Sequence, residues 1–410
     1  MAIIAAMPTP SRKRPPLPHD RQAQLLGFRN AKMASSAHAY VRGSTLRFYE
    51  WLESLAPRSL PEGPAVWICG DAHVSNIGPV ANADGRIDIL LRDFDQTVVG
   101  NPAHDLIRLA LSLAMASRGS DLPGVTTARM LEQMVSAYAD VFQPGGAEAL
   151  QRPEAVTDAL RDARRRSWRH LARERVQGDT VKLPLGKRFW PLAANEREQI
   201  DALLHTDAVR ALATSLHHRN DNGKVKVIDA AYWVKGCSSL GRLRFAVLLD
   251  VAGRASQGRD LCLIDIKEAS KPLAPRQDEA RMPRDNAERV VTGASAMSPF
   301  LGERMLAARL LDRPVVLREL LPQDLKLEID SLSADEAERV ARYLAQVVGK
   351  AHARQLDAAQ RKQWAAELKR NHSKSLEMPS WLWTSVVELV GQHERAYLDH
   401  CRRYAMAALG

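Results

Sequence analysis

The sequence predicts an α+β protein, and three features carry that expectation. Apolar residues recur at helical spacing through residues 20–56, 103–142 and 333–408. Strand-like runs are concentrated in 225–330. Two further short runs, at 65–69 and 86–92, flank a polar loop. With 410 residues and 45% hydrophobic composition the chain can bury a full core, and its length suits one to three domains.

Residues 1–20, MAIIAAMPTPSRKRPPLPHD, hold a brief apolar patch with no charged region before it; a disordered tail is expected, not a signal peptide. One or two helices follow around Arg42-Gly43, with Phe48, Trp51 and Leu52 at core-facing spacing. Arg42 suits a phosphate contact or a structural ion pair. After the 65–92 strands come amphipathic helices at 103–118 and 125–142, with Pro102 near the start of the first. Residues 146–222 read as a basic helical insert whose Pro- and Gly-bearing stretch, 177–192, is loop-like. A β-rich region spans 223–330, and helices complete the chain from 331 to 410. Ser333 with Glu336 predicts a capping box opening a helix to about 356, followed by helices at 358–370 and 379–408.

The chemistry is concentrated in CGDAHVSNIGPVANADGRIDILLRDFD, residues 69–95. Asp71 precedes Asn76 by five residues; a turn and a β-rich run then lead to Asp93. That order suits magnesium-assisted phosphoryl transfer, in which positioning and charge neutralisation carry the catalysis. Mg²⁺ takes oxygen ligands, few of them from protein. Asn76 and Asp93 are the expected metal ligands, and Asp71, kept off the metal, is the expected base. Asp95 is a second metal ligand or a surface acid. His73, two residues beyond the base, is read as a hydrogen-bonding member of the loop. No His-x3-His or His-Glu-x-x-His spacing supports zinc.

This segment resembles the aminoglycoside phosphotransferase and choline kinase branch of the protein-kinase-like fold. The resemblance rests on Gly70-Asp71-Ala72-His73-Val74-Ser75-Asn76, then Asp93-Phe94-Asp95, then Gly100-Asn101-Pro102-Ala103-His104-Asp105-Leu106, and covers residues 65–115. It implies that Asp71 is the base, that Asn76 and Asp93 bind magnesium, and that Asp105 braces the loop. Cys69 replaces the usual His, and Asp95 stands where many kinases have Gly.

The nucleotide-holding half of such a fold should come first, yet the preceding 68 residues hold no Gly-rich strand pair. Its parts lie downstream. Residues 233–249, WVKGCSSLGRLRFAVLL, place Gly236, Ser238, Ser239 and Gly241 in a small-residue loop that phosphates could approach closely. The strand LCLIDIKE ends near Lys267, suited to the α/β-phosphates as in the Val-Ala-Ile-Lys of kinases. A helix at 285–297 offers Glu288 to pair Lys267, with Glu303 the weaker candidate. RPVVLRE is a further strand; Glu319 at its end joins the nucleotide-binding set, and 320–326 would be the hinge. Together these predict a protein-kinase-like two-lobe fold, circularly permuted, with a helical insert. Permutation is tolerated where termini lie close at the surface.

The chain from about 20 to 355 also resembles a bacterial domain-of-unknown-function family, number twenty-two fifty-two. The marks are Lys32-Met33, Ser36, Tyr40-Val41-Arg42-Gly43, the Gly-Asp-Ala-His and Asp-Phe-Asp segments, Lys267-Glu268-Ala269, Glu288-Arg289-Val290-Val291 and Leu317-Arg318-Glu319-Leu320.

Four cysteines without Cys-x-x-Cys spacing argue against a disulfide framework and suit a reducing, cytoplasmic setting. No apolar run approaches the ~20 residues of a membrane span. The net charge of +10 owes much to RDARRRSWRHLARER, residues 161–175. That run is read first as a solvated helix and second as a surface for an acidic partner, with Trp168 able to stack or pack. Aromatics are only 5% of the chain, so nucleic acid is the less favoured partner. Expected is an ATP- and Mg²⁺-dependent phosphotransferase acting on an unidentified hydroxyl. The alternatives are AMP transfer from the same site, or nucleotide or nucleic-acid binding without catalysis.

Overall fold

The computed structural model describes residues 16, 18–118, 122, 124–146, 151–166, 182–216, 219, 225–237, 239–251, 261–277, 282–324, 332–369 and 379–404. The expected tail lies outside them apart from Pro16 and the single turn Pro18–Asp20. The protein is α+β.

The first helical stretch is three helices: α1 (Arg21–Ala34), α2 (Ala37–Gly43) and α3 (Thr45–Glu53). The breaks fall at serines. Ser36 caps α2, its side chain accepting from the Ala39 N–H at 3.0 Å. Four short strands surround the polar loop: β1 (Val66–Ile68), β2 (Ile77–Ala81), β3 (Ile87–Leu91) and β4 (Val98–Gly100). β1 pairs antiparallel with β4, and β2 with β3. Next come α4 (Ala103–Ser117), α5 (Gly124–Asp140) and α6 (Glu154–Arg165). α4 is apolar nearly all round and buried nearly all round, so it forms the axis of the helical core.

The β-rich region forms one six-stranded antiparallel sheet. Its strands are β5 (Phe189–Trp190), β6 (Val225–Trp233), β7 (Arg244–Val251), β8 (Leu261–Glu268), β9 (Met305–Leu310) and β10 (Arg313–Leu320), in the order β5-β6-β7-β8-β10-β9. Helices α7 (Ala194–Leu204) and α8 (Asp207–Thr214) cover one face; α9 (Asn286–Met297) and the short α10 (Pro299–Gly302) lie between β8 and β9 in the chain. Strand alternation sends Phe245, Val247 and Leu249 to the core that holds Ile200 and Val209, and Ala246 and Leu248 to the opposite face with Phe189 and Trp233.

Helices α11 (Ala334–Ala353), α12 (Ala358–Leu368) and α13 (Ser380–Tyr404) close the chain. α11 packs along α4 and α5, and α13 against α1 and α4. Ser333 caps α11, accepting from the Glu336 N–H at 3.3 Å. The expected reciprocal half of the capping box is absent: the Glu336 carboxylate instead accepts from the Ala155 N–H at 2.9 Å and from Arg339.

The segment 146–222 divides between the two regions. α6 packs on β2, β3 and α11, whereas Phe189-Trp190 joins β6 and residues 194–214 cover the sheet. A two-residue strand leaves no readable alternation, so the sheet begins earlier than residue 223. Residues 167–175 of the basic run, with Trp168, lie outside the described residues. Among the described residues, no helix is long and apolar enough to cross a membrane.

Candidate active site

The polar loop between β1 and β2 is built from buried supports. Asp105, fully buried on α4, accepts from the Cys69 N–H at 2.7 Å with one oxygen and from the Gly70 N–H at 2.8 Å with the other. His352 of α11 contacts the same carboxylate at 3.2 Å, and the Tyr138 hydroxyl meets the other ring nitrogen at 2.8 Å. Gly70 has φ +74°, and a Cβ there would overlap the Gln96 carbonyl, so the position needs glycine. The Tyr49 hydroxyl donates to the Gly70 carbonyl.

This bracing fixes Asp71. Arg108, fully buried on α4, donates from Nε to Asp71 Oδ1 at 2.8 Å, and the Thr45 hydroxyl donates to Oδ2 at 3.0 Å. Both carboxylate oxygens are thus oriented while 15% of the side chain stays open. Burial pushes the neighbouring His73 imidazole down to about 3, despite the opposing pull of Asp71, so the ring is neutral near pH 7.

Asn76 joins this loop to the one after β3. Its amide NH₂ donates to the Asp93 carbonyl at 2.9 Å and toward Cys69 Sγ at 3.2 Å. The Cys69 thiol in turn donates to the Asp93 carbonyl at 3.3 Å. Burial raises that thiol well above its ordinary value, so it remains a donor. Asn76 Oδ1 is buried with no hydrogen-bond partner among the described residues.

The end of β8 reaches the loop that follows β3. Lys267 Nζ is 2.6 Å from Asp95 Oδ2 and 3.2 Å from Asp93 Oδ1. Burial alone would lower the Lys267 ammonium; the two carboxylates more than reverse it. The Lys267 ammonium beside Asp93 holds its carboxyl well below the usual range. Asp95 is raised, first by burial and then by Asp93. Asp93 keeps 53% of its side chain accessible. Residues 174 positions apart in the chain therefore meet here.

The small-residue loop borders the same site. Gly236 and Gly241 have φ +99° and +100°. The Lys32 ammonium donates to the Gly236 carbonyl at 2.7 Å, tying α1 to the loop. Ser239 accepts weakly from Arg244, which itself grips Asp265 at 2.9 and 2.5 Å. Arg242 Nη1 stands 3.9 Å from Asp95. Ser238 lies outside the described residues, as do the last two residues of the expected hinge, 325 and 326.

Three expectations are corrected. Glu288 is exposed and makes no bond to Lys267, whose partners are Asp93 and Asp95. The inward residue of α9 is Arg289, which donates to the carbonyls of Thr97, Asp95 (3.1 Å) and Ser270 (2.9 Å). Ala287, Val290 and Ala294 set the buried stripe, and that phase turns Glu288 outward. Glu319 is not in this site. It is fully buried, with Arg219 Nη1 at 2.8 Å, and its backbone groups are both engaged by Arg304. Glu303 is likewise no partner of Lys267.

Sequence reasoning did not find Arg108, Thr45, Arg289 or the Asp324 cluster. Asp324 accepts from Arg304 at 3.2 Å and Arg318 at 2.9 Å, and its carbonyl takes Arg92 at 3.0 Å. This ties the residue before Asp93 to the end of β10. Arg108 carried one available signal, a cation at the centre of an otherwise apolar helix.

The donor set fits magnesium. Among the described residues no three His, Cys, Asp or Glu side chains converge as a metal cluster. Mg²⁺ needs only one or two carboxylates beside phosphate and water. The buried, unpartnered Asn76 Oδ1 is an acceptor of the right kind, beside the loop of Asp93.

These elements span most of a single match. The family described as "Uncharacterized protein conserved in bacteria (DUF2252)" matches residues 21–403, and the chain belongs to it. Neither the curated proteins nor the solved structures contain a match.

Proposed function

We propose that this protein is an ATP- and Mg²⁺-dependent phosphotransferase, built as a circularly permuted, two-lobe kinase-like fold. The observation that carries the reading is the meeting of Lys267 with Asp93 and Asp95 beside the Asp71–Asn76 loop. A strand lysine, a braced Asp and an Asp/Asn pair are the parts that phosphoryl transfer requires. Here they come from the two halves of the chain in reverse order.

Each residue then has a task. Lys267, with Arg242 nearby and the 236–241 loop above, would receive the nucleotide phosphates. Asn76 Oδ1 and Asp93 would hold Mg²⁺, with Asp95 in reserve; the ion supplies charge neutralisation. Asp71 orients the acceptor hydroxyl and takes its proton, and Arg108 and Thr45 keep its oxygens in register. The Lys267–Asp93 pair must open for phosphates to enter, so Lys267 exchanges one anion for another.

The test is incubation with ATP labelled at the α- or γ-phosphate, followed by detection of labelled acceptor in a bacterial metabolite and protein extract. Transfer of γ-label that disappears in Asp71→Ala supports the proposal. Transfer of α-label selects AMP transfer instead. Retention of full γ-transfer by Asp71→Ala removes the base assignment.

A further inference from the structure

Behind the catalytic loop, on the far side of β3, a cleft of about 400 Å³ opens between that strand, the segment before α6 and the C-terminal half of α11. Arg152, Lys350 and Arg354 converge on it, with Asp88, Tyr343 and Val347 completing the wall. Lys350 lies in the last turn of α11 and Arg354 at its C-cap, four residues further on. Asp88 is the one acid in the lining, and it sits 3.7 Å from Arg152. Three cations against one carboxylate leave the cleft at +2. Its volume falls within the range of small-molecule sites.

We propose that this cleft is a second ligand site, separate from the proposed catalytic cleft, for a small molecule bearing a phosphate monoester. The charge matches: a phosphate monoester carries about −1.5 to −2 near neutral pH. The donors match too. Two guanidinium forks and an ammonium on three separate positions can serve three terminal oxygens, whereas a carboxylate offers two. The Tyr343 side chain, buried in the wall of the cleft, is hydrogen-bonded to Arg152 and helps to place that guanidinium. Burial, with Arg354 and Arg152 beside it, pushes the Lys350 ammonium below its ordinary value against the opposing pull of Asp88. This site stands independently of the phosphotransferase reading.

Calorimetric titration of the full chain with inorganic phosphate, at fixed ionic strength, tests it, with malonate as a dianionic carboxylate control. Phosphate should bind wild type and Lys267→Ala alike at this site, and at least tenfold more tightly than malonate. Lys350→Ala should weaken phosphate at least tenfold. Arg354→Gln, at an exposed position that leaves the fold intact, should do the same. No phosphate binding to wild type overturns the site, as does undiminished binding in both variants, or loss in Lys267→Ala with retention in Lys350→Ala. Malonate binding as tightly as phosphate overturns the ligand class.

Discussion

Asp71 carries the chemistry of the proposal, and its neighbours decide what its loss should do. Asp71→Ala removes the anion that Arg108 meets but leaves Asn76, Asp93 and Lys267 in place. We expect ATP affinity within about threefold of wild type and turnover lower by ~10²–10⁴-fold, the usual span for a general base. Binding calorimetry beside a turnover assay checks both. Gly70 is a matter of space: Gly70→Ala places a methyl against the Gln96 carbonyl at φ +74°. A loss of about 2–4 kcal/mol is expected in denaturant unfolding. That Asp71 and Asn76 share a loop, that Asp93 follows a strand and that Lys267 lies near the end of one was legible in the sequence, because spacing between polar groups and a strand pattern survives in one dimension. Glu288 was misread because a helix of known extent still has an unknown phase, and the next residue, Arg289, faces inward. Glu319 was misread because a strand end and a buried strand position look alike until Arg219 is placed beside it.

The elements hold the site through buried polar contacts that cross long sequence distances. α4 supplies both Asp105 and Arg108, one supporting the loop backbone and the other the Asp71 side chain. His352 on α11 reaches the same Asp105. Asp105→Ala leaves the Cys69 and Gly70 N–H groups without their acceptor, at about 1–3 kcal/mol each. Chemical denaturation should show that loss, and turnover should fall with it. The Arg219–Glu319 pair predicts a different outcome. Glu319→Ala strands a buried guanidinium and should cost ~3–5 kcal/mol, with no effect on ATP affinity in protein that remains folded. The helices were readable from their apolar period, to within a few residues at most ends. A break beside Gly43 was one of two alternatives; the break at Ser35–Ser36 was not foreseen, since short helices with continuous apolar spacing imitate one longer one. The two-residue β5 was also invisible, being defined by its partner β6 alone.

Across the whole molecule, three imidazoles, two buried and one partly buried, set an acid response. Burial lowers His73 to about 3 and His104 and His393 to about 4, from an ordinary 6.5. The unfolded chain therefore binds more protons than the folded one between about 6.5 and 4, so stability falls as pH drops through that window. Each ring contributes at most ~1.4 kcal/mol per pH unit there. Unfolding midpoints measured from pH 7.5 to 4.5 should fall steadily, and His393→Phe should flatten the curve. The order of the chain's parts could be read from sequence; the pairing of Lys267 with Asp93 that closes them on each other depends on how the sheet docks against the helical core. ATP binding followed by calorimetry, with and without Mg²⁺, in wild type, Asp93→Ala and Lys267→Ala examines that closure. The account predicts Mg²⁺-dependent binding in wild type, loss of the Mg²⁺ dependence in Asp93→Ala, and at least tenfold weaker binding in Lys267→Ala. ATP binding that is indifferent to Mg²⁺ and unchanged in both variants would contradict it.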